Sequence, residues 1–289
     1  MAIKILNVVW DNRMGGVQRR VVLAAKELRE HNLETILVAP REEGYFSQLA
    51  AEEGLKVYQV TLKRPHHFDK PSSILFNLLW FLVFPFSVFI IARIINREHI
   101  SILHTNGLLN LQAPVAALLM RRKIVWHLVG SIYPRPLLRL LMPFIRLVSD
   151  RIVLIAEKMS PYYLGKADSS LVEKVTVIHD PVNTERFNPN NIPAEVKHEL
   201  KAQFHVNPGD RLIGCVGNIN PAKGYEYLLQ CASLVQKRYD KVRFIIVGMK
   251  LETQRAYYRS LKALVSSLAL EEHVTFAGER HDIPQILSP

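Results

Sequence analysis

The strongest constraint on this chain is a regular alternation of short, β-branched runs with amphipathic helical stretches. Strand-like runs stand at residues 3–9, 35–39, 56–60, 100–104, 123–126, 151–155, 175–178, 212–216, 242–247 and 274–276. Between most of them, apolar residues recur with helical spacing. Such alternation is typical of a parallel sheet, because each helix returns the chain to the same end of the sheet. The sequence therefore predicts an α/β fold.

A stretch rich in proline and asparagine, residues 179–193, interrupts the alternation and is typical of a turn or linker. A chain of 289 residues is also long for one hydrophobic core. We therefore predict two Rossmann-like domains, residues 1–188 and 189–289. The second should have only about three strands, fewer than a complete doubly wound domain, so we expect it to be incomplete.

Cysteine usage and the N-terminus bear on the cellular compartment. The two cysteines, Cys215 and Cys231, lie in apolar stretches without a second pair, so neither a zinc site nor a disulfide framework is expected. The first residues form a strand-like run that lacks the length and the cleavage site of a signal peptide. We predict a cytoplasmic protein that holds no metal.

Positive charge is concentrated in one part of the sequence. The net charge is +11, and residues 61–160 contain thirteen Lys and Arg against four Asp and Glu. A local excess of this kind attracts nucleic acid, anionic lipid headgroups or phosphorylated substrates. The basic residues alternate with aliphatic ones and no nucleic-acid-binding motif is present, so nucleic acid is not expected as a partner.

Residues 74–95 form the most hydrophobic stretch of the chain. The stretch is long enough to cross a bilayer, but Pro85 near its middle disfavours a span. A helix in the headgroup layer fits better, because cations flank the stretch and Trp80, Phe81 and Phe84 suit an interface. A long core helix, buried on all sides, is the alternative interpretation.

A second stretch, residues 135–147, has the pattern of a basic amphipathic helix. Arg135, Arg139 and Arg146 are spaced so that they fall near one helical face, with leucines opposite. Against anionic lipid each cation contributes about 1 kcal/mol. We predict that both stretches contact an anionic membrane surface and that the protein is peripheral to the inner face of the cell membrane.

Two glycine-containing turns are candidates for ligand contact. Gly15 and Gly16 link the first strand to the first helix, where glycine lets a ligand approach the backbone and a helix N-terminus attracts an anion. A tight strand-to-helix turn is the alternative interpretation. No GxGxxG motif follows the first strand, which argues against a nicotinamide- or flavin-dependent oxidoreductase.

The second turn runs from Gly217 to Gly224 and opens a helix with Lys223. A lysine at the positive end of a helix dipole suits a diphosphate. The turn is not a P-loop, because Tyr225 stands where that motif needs Ser or Thr.

In order and spacing, these turns and three further segments resemble glycosyltransferase family 4. The segments are residues 177–187, 244–248 and 274–278, and the resemblance extends over the whole chain. It implies the GT-B fold, in which the first of two Rossmann-like domains holds the acceptor and the second holds a nucleotide-sugar donor. It also implies transfer with retention, and neither a metal nor a cofactor.

Position by position, the resemblance implies donor contacts in both turns, at Gly15, Gly16, Gly217, Asn218, Lys223 and Gly224. It also implies that His127, at the end of a strand, contacts the transferred sugar. A histidine whose hydrogen bonds are satisfied at a strand end is the alternative interpretation for His127, and more strongly for His104. The adjacent pair His66 and His67 is interpreted as loop surface.

The sequence departs from the family pattern at three places. Asn218 stands where the family commonly has an arginine, and Asp180 with Pro181 replaces the usual Asn-Gly. The acidic pair of a Glu-x7-Glu motif, expected within roughly 40 residues after Gly278, is not present in this sequence.

The sequence therefore suggests a hexosyltransferase-type glycosyltransferase of cell-envelope polysaccharide biosynthesis. It would move a sugar from a nucleoside diphosphate sugar to a lipid-linked or polysaccharide acceptor at the membrane. The alternative is an inactive, truncated glycosyltransferase-like product that folds and binds membrane without turnover.

Overall fold

A computed structural model describes residues 2–42, 44–63, 71–131, 133–165 and 173–288. These residues form two compact units, Met1–Pro181 and Val182–Pro289. The division lies a few residues before the expected boundary at 188, because most of the proline- and asparagine-rich stretch groups with the second unit. The histidine pair His66 and His67 lies outside the described residues, as do Arg64 and Lys70, two of the cations that precede the hydrophobic stretch.

The first unit is a seven-stranded parallel sheet covered by helices. Its strands are β1 (Ile3–Val8), β2 (Leu33–Pro40), β3 (Lys56–Val60), β4 (Ile102–Asn106), β5 (Lys123–Leu128), β6 (Arg151–Leu154) and β7 (Val175–Val177). Its helices are α1 (Gly16–Glu30), α2 (Phe46–Glu52), α3 (Pro71–Arg97), α4 (Gln112–Leu119), α5 (Arg135–Val148) and the short α6 (Ser160–Leu164). The predicted α/β architecture is confirmed.

Both faces of this sheet are buried, which explains why its strands are continuous apolar runs. On β2, Ile36 and Val38 belong to one core cluster, which also contains residues of α3, α4 and α5. Their neighbours Leu37 and Ala39 belong to a second cluster, formed with α1 and α2. Alternate residues of one strand therefore pack against helices on opposite sides of the sheet.

The strand order is β3-β2-β1-β4-β5-β6-β7, with every pair parallel. The order reverses between β1 and β4, which pair directly although they are far apart in the sequence. In open sheets of this kind, ligands bind outside the carboxyl ends of the strands at such a reversal point. The fold alone thus points to the ends of β1 and β4.

Helix α3 buries one side, which includes two small polar residues among apolar ones, and exposes large apolar residues on the other side. Ser87 is fully buried, where its Oγ donates to the carbonyl oxygen of Thr61 at 2.7 Å, and Asn77 is also buried. The opposite side, called here the α3 outer face, is exposed and consists of Leu78, Leu79, Phe81, Leu82, Phe86 and Phe89. The alternative interpretation of a helix buried on all sides is therefore wrong.

Two of the predicted membrane contacts in α3 differ from the expectation. Phe81 is exposed as predicted, but Trp80 and Phe84 are only half exposed, and Phe84 packs against the first core cluster. The reason is the helical period, which turns positions 80 and 84 toward the domain while 81 and 82 point outward. The stretch Asn77–Arg97 is long and apolar enough to cross a bilayer by length and composition, yet the C-terminal half of α3 has one face in the core.

Helix α5 buries one face and exposes basic side chains on the other. Leu138, Met142 and Ile145 are buried, and Arg135 and Arg139 are exposed. Arg146 does not lie with them at the surface, contrary to the prediction. It is partly buried and its Nη2 donates to the carbonyl oxygen of Leu164 at 2.7 Å, because α6 packs against the end of α5.

The second unit has a three-stranded parallel sheet in the order β10-β9-β8 among the residues described. The strands are β8 (Arg211–Val216), β9 (Val242–Val247) and β10 (Val274–Gly278), and the helices are α7 (Ala194–Gln203), α8 (Tyr225–Gln236), α9 (Arg255–Ser267) and α10 (Ile283–Ile286). Residues of α8 and α9 pack with one face of β9, and residues of α7 and α10 pack with the other. This is the expected second Rossmann-like unit with few strands.

Candidate functional site

Polar side chains meet at the carboxyl ends of β1, β4 and β5. The set, called here the edge cluster, consists of Asn7, Arg20, His104, Asn106, His127 and Asp180. It lies at the reversal point of the first sheet, where the strand order favours a ligand site. Most of its members are buried, so their polar groups must satisfy one another.

Arg20 of α1 is the centre of the edge cluster, with only 6% of its surface exposed. Its Nη1 lies 3.1 Å from Nε2 of His127 and donates to Oδ1 of Asp180 at 2.9 Å. Its Nη2 donates to Oδ1 of Asn106 at 2.7 Å. One guanidinium group thus joins the ends of β4 and β5 to the segment that follows β7.

Two histidines complete the cluster. His104 Nε2 lies 3.2 Å from His127 Nδ1, and the two rings are nearly parallel with centroids 5.4 Å apart. Nδ1 of His104 in turn faces Nδ2 of Asn7 at 3.3 Å. The histidine at the end of β4 is therefore part of the same network as the one at the end of β5.

Burial and the neighbouring cation keep both imidazoles neutral. Burial and then Arg20 lower the pKa of His104 to about 4. Burial, Arg20 and His104 lower the pKa of His127 to about 2. Burial also lowers the pKa of Arg20, against the opposing effect of Asp180, but a guanidinium remains charged at any physiological pH. The cluster therefore holds one buried positive charge beside two neutral rings.

The backbone that directly follows β5, the strand of His127, is held by a tyrosine. The hydroxyl of Tyr163 donates its one proton to the carbonyl oxygen of Gly130 at 2.7 Å and also lies 3.2 Å from that of Val129. Burial of this hydroxyl raises its pKa. The backbone just beyond His127 is thus held by α6, a helix too short to be recognised in the sequence.

The Gly15–Gly16 turn opens α1 close in sequence to Arg20. Gly15 caps the helix in an extended conformation. A Cβ atom on Gly16 would meet no protein atom within 4 Å. Packing within the chain therefore does not require glycine at position 16.

In the second unit, three glycine-containing strand ends are joined by backbone hydrogen bonds. The Gly217 N–H donates to Val247 O, and the Gly248 N–H donates to Gly278 O, each at 2.8 Å. A Cβ atom on Gly248 would lie 1.8 Å from the carbonyl oxygen of Gly217. The carboxyl edge of this sheet is therefore built on a contact between two backbones that only glycine permits.

Lys223 lies across this edge. A Cβ atom on Gly217 would meet Cε of Lys223 at 3.3 Å and the hydroxyl of Tyr225 at 3.4 Å, and that hydroxyl donates to Gly217 O at 2.5 Å. Gly224 caps α8 in the left-handed conformation, with φ of 66°. The predicted residues Gly217, Asn218, Lys223 and Gly224 thus form one continuous turn, in which Lys223 and Asn218 are exposed.

Comparison with known proteins assigns both units. The sequence profile described as Glycosyltransferase Family 4 matches residues 14–186. That match covers more than half of the chain. The chain belongs to glycosyltransferase family 4. A second profile, Glycosyl transferases group 1, matches residues 196–288.

Relatives of this family 4 chain agree on the fold. A glycosyltransferase from Rickettsia africae is 20% identical, with a TM-score of 0.76 over 99% of this chain and 71% of that one. The Anabaena protein HepE, solved with UDP and glucose, is 19% identical, with a TM-score of 0.73 over 98% of this chain and 71% of that one. Identities at this level establish the GT-B type of fold and no more.

One curated relative matches over a shorter stretch. The lipopolysaccharide core biosynthesis mannosyltransferase of Rhizobium meliloti is 26% identical over 120 residues, which is 42% of this chain. The match spans a third of that enzyme's length.

Sequence reasoning singled out His127 in this family 4 chain and weighed His104, but it did not single out Asn7, Arg20 or Asn106. Asn7, Asn106 and His104 share a detectable signal, since each is a polar residue near the end of an apolar strand. Arg20 has no such signal, because the buried apolar positions of α1, such as Val21 and Ala25, recur without it. Among the residues described, no three His, Cys, Asp or Glu side chains are close enough to hold a metal ion.

Proposed function

We propose that this family 4 protein transfers a hexose, with retention, from a nucleoside diphosphate sugar to a lipid-linked or polysaccharide acceptor of the cell envelope. The observation that carries the proposal is the position of Lys223 over the glycine-built edge of the second sheet. Glycine stands at positions 217, 248 and 278 of the three strand ends, so a cation lies beside backbone that carries no side chains of its own, as suits contact with a diphosphate.

In this proposal the chemistry is electrostatic. Lys223 and backbone N–H groups at the start of α8 stabilise the negative charge that develops on the departing diphosphate. Neither a metal nor a cofactor has a part in the proposed reaction. His127 contacts the transferred sugar from the first unit, and the acceptor is held on the same unit. UDP in HepE and mannose transfer in the Rhizobium enzyme support a nucleotide-sugar donor of this general kind.

Nucleotide binding tests the proposal. We expect UDP or GDP to bind the wild-type protein in isothermal titration calorimetry, and Lys223→Met to weaken binding by about tenfold or more. The reason is that a charge-assisted hydrogen bond contributes roughly 1.5–3 kcal/mol, and each 1.4 kcal/mol is a factor of ten.

Lys237→Met is the matched control, because Lys237 is exposed at the opposite end of α8 and its replacement removes the same charge. Equal affinities of the two variants, or no binding of either nucleotide, would contradict the proposal. A transfer assay with UDP- and GDP-sugars then separates an active enzyme from a product that folds without turnover.

We further propose that the protein works at the cytoplasmic face of the membrane, with the α3 outer face in the headgroup layer. Six large apolar side chains are exposed along one side of a helix, which is unusual for the surface of a soluble domain. Arg93 and Arg97 are exposed at the C-terminal end of the same helix, and Arg135 and Arg139 are exposed on α5. Apolar side chains beside cations suit an anionic lipid surface better than a protein partner.

Liposome flotation tests the membrane proposal. We expect the wild type to float with vesicles that contain phosphatidylglycerol, less so at high salt, because screening weakens the attraction between cations and lipid. Replacing Leu82 and Phe86 together by glutamine removes exposed apolar surface without touching the core, so most of the protein should stay at the bottom of the gradient.

Leu234→Gln is the matched control, because Leu234 of the second unit is 65% exposed and Leu82 is 67% exposed. Loss of flotation in the control, or flotation of the double variant like wild type, would show that the α3 outer face does not bind the membrane. A wild-type protein that does not float even at low salt would contradict the membrane proposal as well.

A further inference from the structure

The hydrogen-bond directions in the edge cluster can be worked out from two fixed points. Arg20 can only donate, and the carbonyl oxygen of Val8 can only accept. Asn106 accepts from Arg20 Nη2 through Oδ1 and donates through Nδ2 to Val8 O at 3.1 Å, which fixes its amide orientation. The same Nδ2 donates to Oδ1 of Asn7 at 2.8 Å. The Nδ2 amino group of Asn7 is therefore the atom that faces His104.

The contact between Arg20 and His127 determines which ring nitrogens of the two histidines carry a proton. Because its Nη1 donates to Nε2 of His127, this neutral imidazole must carry its proton on Nδ1. Nδ1–H then donates to Nε2 of His104, whose own proton must be on Nδ1. That proton faces the amino group of Asn7, 3.3 Å away, so two donors oppose each other.

These contacts form a closed ring that returns through Asn106 to Arg20. While Arg20 donates to His127, the contact between Asn7 and His104 cannot be a hydrogen bond. If Nη1 leaves Nε2, the conflict disappears. Asn7 Nδ2 then donates to His104 Nδ1, His104 Nε2–H donates to His127 Nδ1, and Nε2 of His127 carries a proton that points away from the ring. One proton passes from His127 Nδ1 to His104 Nε2, one leaves His104 Nδ1 to water, and one reaches His127 Nε2 from water.

We propose that Arg20 is a positioning residue that sets the tautomer of His127, holding the proton on Nδ1 while its guanidinium contacts Nε2 and allowing the Nε2–H tautomer when it moves away. Only the second tautomer can donate a hydrogen bond from Nε2 to a sugar hydroxyl. The proposal rests on the proposed function, because it concerns the same histidine. It adds that Nε2 of His127 cannot donate to a sugar in the arrangement described here.

Nitrogen NMR of the ring distinguishes the two tautomers. The full chain, labelled with ¹⁵N-histidine, is studied at pH 7.5 without nucleotide, and the His127 signals are assigned by their absence in His127→Gln. We expect the Nδ1–H tautomer in wild type and a predominantly Nε2–H ring in Arg20→Met. Arg20→Lys keeps a group that can only donate, so it should retain the wild-type tautomer.

Arg19→Met is the matched control, since Arg19 precedes Arg20 in α1 but is exposed. It should leave the His127 signals unchanged. An Nε2–H ring in wild type, or an unchanged tautomer in Arg20→Met, would overturn the proposal. The wild-type spectrum decides even if a variant does not fold, and it does not depend on nucleotide binding, so failure of the proposed function would be seen separately in the Lys223 titration.

Discussion

Gly248→Ala is expected to prevent stable folding of the second unit. The added Cβ would lie 1.8 Å from the oxygen and 2.5 Å from the carbon of the Gly217 carbonyl, and both of these are backbone atoms. Relief requires the end of β8 to move away from β9, which breaks the 2.8 Å bond from Gly217 N–H to Val247 O. We expect a loss of more than about 3 kcal/mol, above the usual range for overpacking, because no side chain can yield.

Hydrogen exchange followed by mass spectrometry measures this effect unit by unit. Amides of β8, β9 and β10 should lose protection in Gly248→Ala, whereas those of β1 to β6 should keep it. Gly214→Ala is the matched control within β8, because its Cβ would meet only a methyl group of Ile245 at an ordinary 3.5 Å. Equal protection in both variants would show that the two strand ends can separate without cost.

Acid is expected to destabilise the first unit through the edge cluster. In the unfolded chain both histidines titrate near 6.5, but in the folded protein the pKa of His104 falls to about 4 and that of His127 to about 2. Below pH 6.5 the unfolded chain therefore binds protons at both histidines, whereas the folded protein does not. The stability conferred by neutral rings is complete above this pH and is lost as the pH falls.

Below pH 6.5, each histidine lowers the free energy of unfolding by about 1.4 kcal/mol per pH unit. The two together therefore lower it by about 4 kcal/mol between pH 7 and pH 5. Urea unfolding at several pH values measures this loss of stability. His104→Gln and His127→Gln should each flatten the dependence by about half. His198→Gln, which changes an exposed histidine of the second unit, should leave it unchanged. A wild-type stability that does not vary between pH 7 and pH 5 would contradict the assignment of neutral, buried rings.

Most elements of this fold are predictable because they are determined locally. Parallel strands buried on both faces must be apolar runs, so β2 and β9 can be read from the sequence within a few residues. The edge cluster is different, because its contacts join residues that lie far apart. Arg20 in α1 and Asp180 after β7 lie near opposite ends of the unit's sequence, and only the strand order brings them together.

Helices α3 and α5 show why surfaces are harder to predict than elements. Composition identifies α3 as apolar, but it does not reveal that Ser87 lies inside while Phe86 and Phe89 lie outside. Likewise, spacing puts Arg146 on a basic face, yet the end of α6 offers it a carbonyl oxygen and partial burial. In both cases the environment of a side chain depends on a neighbour that the local pattern does not contain.

The strand order of the first unit also determines when its sheet can form during synthesis. β1 lies in the middle of the sheet, but its partner β4 leaves the ribosome only after α3 has been made. Long-range parallel pairing is slow in comparison with helix formation. The apolar residues of α3 are therefore in solution before the sheet that covers part of them can close, and whatever binds the α3 outer face can do so on the nascent chain.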